Sequence, residues 1–346
     1  MKSRRTARST CLTATAVLIT GCVTGCAGGA ADSGPSPQIG IDLPRSDSAF
    51  WKAYASYIRS DIKDQQLSAL PPTESGGDQE AFTADILALA AKHPKAIVMA
   101  PQNTMNTHIT LDSLWAKNIQ AISVDTEPEH GEVYMVVRAD NRSYGSKACE
   151  FLGRQLHGKG KVAELQGSLD SINGFERSDA FAVCMKRSFP AIEVIALPTE
   201  WKGDVASAKL QSTLAANQDL GGIYMQAGGV FLQPTLALLQ QKGLLKPAGT
   251  PGHIAIVSND GIPAELDAIR RGQIDATVSQ PADLYAKYAL FYAQAAAQGK
   301  TFQPGPTDHD STLIQLPNGL EDQLPAPLVT KDNVDDRSLW ANHVSD

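Results

Sequence analysis

Cysteine is scarce in the body of this chain: of five in 346 residues, three stand at positions 11, 22 and 26, leaving only Cys149 and Cys184 beyond. Each of these two falls on an expected helix, and they form either one disulfide or two small buried hydrophobes. The seven histidines, at positions 93, 108, 130, 157, 253, 309 and 343, show no ligand spacing among themselves or with cysteine, so no metal centre is expected. Aromatic residues make up 6% of the chain against 42% hydrophobic residues in all, a balance that suits two modest α/β cores. Positive charge is also short. Of the 30 Lys plus Arg, four lie in the first 21 residues, where none of the 37 Asp plus Glu is found, so the remainder is acidic and a nucleic-acid partner is not expected. A Gly-x-Ser-x-Gly elbow, a Walker loop and a Gly-x-Gly-x-x-Gly turn after a strand are all missing. Neither catalysis nor a cofactor is therefore expected.

What is present begins with Lys2, Arg4, Arg5 and Arg8, followed by the apolar run Cys11 to Gly21. That run is too short to span a bilayer and reads as a secretory signal over residues 1–21. It closes on Ile19-Thr20-Gly21-Cys22, which resembles the bacterial lipobox; Cys22 would carry the lipid, and Val23-Thr24-Gly25-Cys26 offers Cys26 as the alternative anchor. An ordinary cleaved signal without lipid stands beside this reading. Residues 22–37 are small and polar, cannot bury enough apolar surface to fold, and read as a flexible tether.

From Gln38 onward, short apolar runs alternate with stretches of helical period, the pattern of βαβ units and parallel sheets. Strands are expected at 39–43, 67–70, 96–100, 121–125, 133–138, 161–166, 193–197, 222–226, 254–259 and 276–279. Helical stripes include Phe50, Tyr54, Ile58 and Ile62, then Phe82, Ile86 and Leu89. Two successive sets of five strands predict two doubly wound domains. In such sheets ligands sit at the carboxyl ends of strands. Those ends carry Asp125, Gln166, Gln226, Asn259 and Asp260, with Arg45 to Trp51 in the loop after the first strand.

Four segments then point to one family: Ala139-Asp-Asn-Arg-Ser-Tyr-Gly145, Gly174-Phe-Glu-Arg-Ser-Asp-Ala-Phe181, Val257-Ser-Asn-Asp-Gly-Ile-Pro263 and Arg271 to Pro281. In that order and spacing they resemble the ribose-binding branch of the type I periplasmic binding proteins, over nearly all of Gln38 to Leu316. The resemblance implies two Rossmann-like lobes joined by a three-segment hinge, with a ligand buried between them and closure about the hinge. Carried over, the crossings fall near Ala139-Asp140, Gln280-Pro281 and His309 to Ser311. One lobe is then 38–139 plus 282–310, and the other 140–281 plus 311–346.

The resemblance also assigns roles. Arg177 would present a planar fork of donors to adjacent hydroxyls; pairing with Glu176 or Asp179 on the helix face is the plainer reading. Asp125 and Asp260 match the two family carboxylates that accept from sugar hydroxyls, and each also stands where a helix cap would. Gln280 matches an amide at the second crossing, which could equally be a hinge residue. Phe50, Trp51 and Trp201 match the aromatics that sandwich the ligand ring, although an aromatic opening a helix is often core. The chain departs from the ribose pattern at Ala100, Thr126, Ala227 and Asn259. Gln102, Asn103, Gln226 and Asn259 are neighbouring amides placed to compensate. Ribose fits poorly, and another monosaccharide, a deoxy sugar or a polyol fits better.

The resemblance implies an exported, lipid-anchored monomer serving an ABC permease and its ATPase, with docking on a chemotaxis or sensor-kinase receptor as the alternative output. Regulators of the lac-repressor type share the two-lobed core, but their DNA-binding helices have no counterpart here.

Overall fold

The computed structural model describes residues 38–101 and 103–343. The signal, the tether, both candidate anchor cysteines and Gln102 lie outside the described residues. The chain runs β1 (Ile39–Leu43), α1 (Ala49–Asp64), β2 (Thr73–Glu74), α2 (Gln79–Ala90), β3 (Ala96–Met99), α3 (Thr107–Trp115), β4 (Gln120–Val124) and β5 (Met135–Ala139). It continues through α4 (Asn141–Gln155), β6 (Lys159–Gln166), α5 (Ile172–Ser188), β7 (Ala191–Pro198), α6 (Gly203–Ala216), β8 (Leu220–Met225), α7 (Gly228–Gln241), β9 (Ala255–Asp260), α8 (Pro263–Arg270) and β10 (Ala276–Ser279). Last come α9 (Ala282–Ala297), β11 (Gly305–Pro306), β12 (Thr312–Leu316), β13 (Gly319–Leu324), β14 (Leu328–Thr330) and a 3-10 turn at Trp340–Asn342.

These strands form two sheets, ordered β11-β12-β13-β5-β4-β3-β1-β2 and β14-β10-β9-β8-β6-β7. Both are parallel except at the C-terminal additions, where β12 runs antiparallel to β11 and β13, and β14 antiparallel to β10. In each sheet the strand order reverses beside the first strand of the unit, which opens a crevice at the carboxyl ends of the strands. Helix α9 packs on α1, β3 and β4, so the chain returns to the first lobe after β10.

Two expectations are corrected. The third crossing does not lie at 309–311. Thr312–Leu316 and Gly319–Leu324 extend the first sheet, with Glu321 opposite Val136 in parallel register, and the passage to the second sheet is Pro325-Ala326-Pro327. The chain stays in the first sheet past 311 because Pro317-Asn318-Gly319 is a hairpin turn between two alternating strands. Asn318 locks that turn by donating to the carbonyls of Pro128 and Gly131. The strand expected at 67–70 shrinks to a single bridge, Ile39 with Ala69. Pro71-Pro72 supplies no N–H to a ladder, so pairing resumes only at Thr73.

Cys149 on α4 and Cys184 on α5 form a disulfide, with Cα atoms 6.1 Å apart. The same two helices meet at Gly145, where a Cβ would stand 2.2 Å from the carbonyl oxygen of Arg177 and 2.8 Å from the amide nitrogen of Phe181. Only glycine permits this approach of backbone to side-chain space, and it sets the depth of α5 in the second lobe. Gly145→Val is expected to cost roughly 2–4 kcal/mol of stability by overpacking, as read in denaturant melts.

Candidate functional site

A cavity of about 790 Å³ opens between the two sheets and is lined from both lobes. Eight of the eleven expected ligand residues line it: Phe50, Trp51, Asn103, Asp125, Arg177, Trp201, Asp260 and Gln280. Gln226 and Asn259 do not. Both are fully buried beneath the floor. The Gln226 amide donates to Glu164 and Ser178 and accepts from the Gly167 N–H, while Asn259 donates to Tyr224 Oη and to the Gln226 carbonyl. They brace the backbone under the cavity instead of replacing the missing ligand amides.

Arg177 is the centre of the floor and only 4% exposed. Its Nε donates to Asn141 Oδ1 at 2.6 Å, Nη1 to the Gln226 carbonyl at 2.6 Å, and Nη2 to Gln280 Oε1 at 3.0 Å. The guanidinium carbon sits 4.8 Å from the centroid of Tyr144 and 5.8 Å from that of Trp201, within cation–π range. The helix-face alternative is set aside by this geometry. Asp179 pairs with Arg142, and Glu176 with Arg138 and Arg142. Five guanidinium N–H groups minus these three bonds leaves donors for a ligand.

The two aspartates stand at strand ends in left-handed backbone, Asp125 at φ +67° and Asp260 at +102°. Asp125 Oδ1 accepts from Gln280 Nε2 at 2.8 Å, and Oδ2 from Asn173 Nδ2 at 2.9 Å. The second contact crosses from the first lobe to α5 of the second. Asp260 Oδ2 accepts from the Gly229 N–H at 2.8 Å, so it caps the start of α7. Capping and ligand contact are thus compatible, since its other oxygen is not used in that bond. Burial pushes both carboxyls up, against the opposing charge of Arg177.

Trp201 closes the second-lobe side. Glu200 and Trp201 are both left-handed, at φ +54° and +55°, which turns the indole back over the floor. It lies parallel to Phe231, interplanar angle 10°, and covers Gly167, where a Cβ would stand 2.1 Å from the ring. On the first-lobe side Phe50 meets Trp51 edge to face at 4.9 Å and packs on Tyr285 and Trp340. Asn103 lies near the mouth and its Oδ1 accepts from the Asn106 N–H, forming a turn ahead of α3. Sequence reasoning missed Asn173, which also donates to Asp125. Its position one helical turn before Arg177 was the available signal.

Among the described residues no group of three or more His, Cys, Asp and Glu could hold a metal. Across residues 39–301 the chain matches the profile of the periplasmic binding protein domain. The chain belongs to the periplasmic binding protein family. Its relatives include the D-allose-binding periplasmic protein of Escherichia coli, 24% identical over 76% of this chain and 86% of that one. The xylitol-binding protein of Mycolicibacterium smegmatis is 25% identical over 75% and 68%. A periplasmic solute binding protein of an Actinobacillus succinogenes ABC transporter, solved with bound D-allose, superposes with a TM-score of 0.74 at 17% identity, over 87% of this chain and 99% of that one. The likeness read from four sequence segments is therefore a family relationship, and the two-lobed fold of this periplasmic binding protein is shared with its solved neighbours.

Beneath the cavity, burial pushes Glu164 up to about 7, against the hydrogen bonds it accepts from Gln226, Ser178 and Gln166. A carboxyl with a higher pKa folded than unfolded gives stability that is full below its unfolded value of 4.5 and is lost as pH rises through about 7. Glu164→Gln is expected to shrink the fall in melting temperature between pH 5 and pH 8, whatever its effect on the absolute value. At the floor, Arg177→Ala is expected to weaken ligand affinity by about 2 kcal/mol or more, measured by calorimetry, because a buried charge-assisted donor is lost.

Proposed function

We propose that this protein captures a monosaccharide or polyol between its closing lobes and delivers it to an ABC permease and its ATPase, without catalysing a reaction. The observation that carries the reading is the composition of the cavity. A buried arginine with spare donors stands with two buried carboxylates over one floor, and tryptophans form the walls on both sides. A polyhydroxylated ligand matches such a set, since its hydroxyls donate to carboxylates and accept from a guanidinium while its CH face lies against indole. The relatives named for D-allose and xylitol support the same class.

Ala227 and Val230 line the second lobe, and the neighbouring amides Gln226 and Asn259 are committed below the floor. That favours a ligand with fewer hydroxyls on this side than ribose presents to its binders. Contacts drawn from both lobes make closure a population shift, in which the ligand stabilises the closed form it bridges. The acidic chain with its secretory signal is read as extracytoplasmic, monomeric and held at the membrane by lipid on Cys22 or Cys26.

A thermal-shift screen against pentoses, hexoses, deoxy sugars and polyols tests the reading, because a ligand that binds only the folded state raises its melting temperature. At least one member is expected to give a saturable shift, together with a smaller radius of gyration in solution scattering. A flat screen, or product accumulating in a turnover assay, would sink the reading.

A further inference from the structure

Arg138 ends the inner part of β5, one residue before the chain first leaves the first lobe, and is 3% exposed. Three carboxylates approach it. Nε stands 3.1 Å from Glu321 Oε2 on the neighbouring strand β13, and Nη2 stands 4.0 Å from Glu127 Oε2 in the loop after β4. Both belong to the first lobe. The third, Glu176, belongs to the second lobe, in the second turn of α5, and its Oε2 accepts directly from Arg138 Nη2. The same helix reaches across once more, through Asn173, whose Oδ1 lies 3.5 Å from Arg138 Nη1 and whose Nδ2 donates to Asp125. The residue after Glu176 is Arg177.

We propose that Glu176 is a positioning residue for ligand capture: paired with Arg138 across the cleft, it holds α5 against the first lobe in the closed form and so fixes Arg177 over the ligand. Glu176 does not line the cavity and acts without touching what is bound. The inference rests on the capture reading given above.

Two features of the pair suit it to a reversible latch. Burying a cation is ordinarily the large cost of a hidden ion pair, but Arg138 has Glu321 and Glu127 beside it within its own lobe, so its charge does not depend on Glu176 alone. Closure adds Glu176 as a further partner, and Glu176 keeps 12% exposure in the pair. When the lobes part, neither charge is orphaned. Arg138 keeps Glu321 and Glu127, and Glu176 keeps Arg142, whose Nε is 3.7 Å away on the second lobe's own α4.

The test uses D-ribose, D-allose, xylitol and myo-inositol, taking as probe whichever raises the melting temperature of the unaltered protein most. Glu176→Gln is expected to bind the probe about 5- to 10-fold more weakly while the probe-free melting temperature stays within about a degree. Combined with Arg138→Gln, the losses in affinity should be less than additive, since each change breaks the same pair. Unchanged affinity in Glu176→Gln, or fully additive losses, overturns the proposal. Affinity and probe-free stability falling together also overturns it, since that would mark a merely structural residue. If the unaltered protein binds no member, the sugar reading is decided by the wider screen above, and probe-free scattering still decides the latch. Glu176→Gln should then show the larger radius, and superimposable curves overturn the proposal.

Discussion

The buried guanidinium of Arg177 organises the floor of the cavity. Arg177 has no carboxylate in direct contact, so its charge is held by dispersed partners: an Asn141 side chain, the carbonyl at Gln226, the Gln280 amide and the faces of Tyr144 and Trp201. These come from α4, the end of β8, the second passage between lobes and the loop after β7. Leaving a guanidinium buried with any of them removed would expose its desolvation cost. The tight approach of α4 to α5 at Gly145 follows from that demand, because it brings Asn141 and Tyr144 within reach. Gln226 and Asn259, which line nothing, keep the carbonyl that Arg177 needs in place.

The charge balance around Arg177 sets the chemistry of what can enter. Asp125 and Asp260 are both buried and both shifted upward by burial, and each has protein partners on only part of its accepting capacity. The cavity therefore offers acceptors and a few cationic donors over a polar floor, between apolar walls. Hydroxyls on the edges of a ligand match the accepting and donating capacity left on these groups and carbon on its faces matches the walls, whereas a purely apolar ligand would leave that capacity unused.

The fold was largely legible from Gln38 to Gly299 because buried parallel strands and amphipathic helices leave strong periodicities, and strand ends bounded by Asp, Gln and Asn mark the crevice. Legibility failed where the signal is local and short. Pro71-Pro72 displaces a ladder, and Pro317-Asn318-Gly319 returns the chain to the first sheet for a hairpin that the alternation of Leu313 to Leu320 foreshadowed. In the site, strand position singled out Asp125 and Asp260, the family resemblance added Arg177, Gln280 and Trp201, and all five line the cavity. Neither signal said which of two adjacent polar residues faces the cavity. Asn259 and Asp260 differ by one strand position, and a period of two sends one below the floor and the other above it. Asn173 had one local signal, its place a helical turn before Arg177, but its partner across the cleft stands 48 residues away in sequence, which leaves no pattern for the pairing itself.

Recognition and closure share their atoms here. Gln280 lies on the second passage, so it belongs to the hinge, yet its amide donates to Asp125 of the first lobe and accepts from Arg177 of the second. Any rotation that separates the lobes must reorient this amide or break one of its bonds, and either event alters the two charged groups that line the cavity. A ligand that bridges Asp125 and Arg177 therefore biases the hinge through the residue on which the hinge turns. A sugar held by one lobe alone would leave Gln280 free to swing and could not select the closed form, however tightly it bound. The discontinuous lobes are what make this possible: only a chain that crosses between sheets beside the floor can place a hinge amide within reach of both charges.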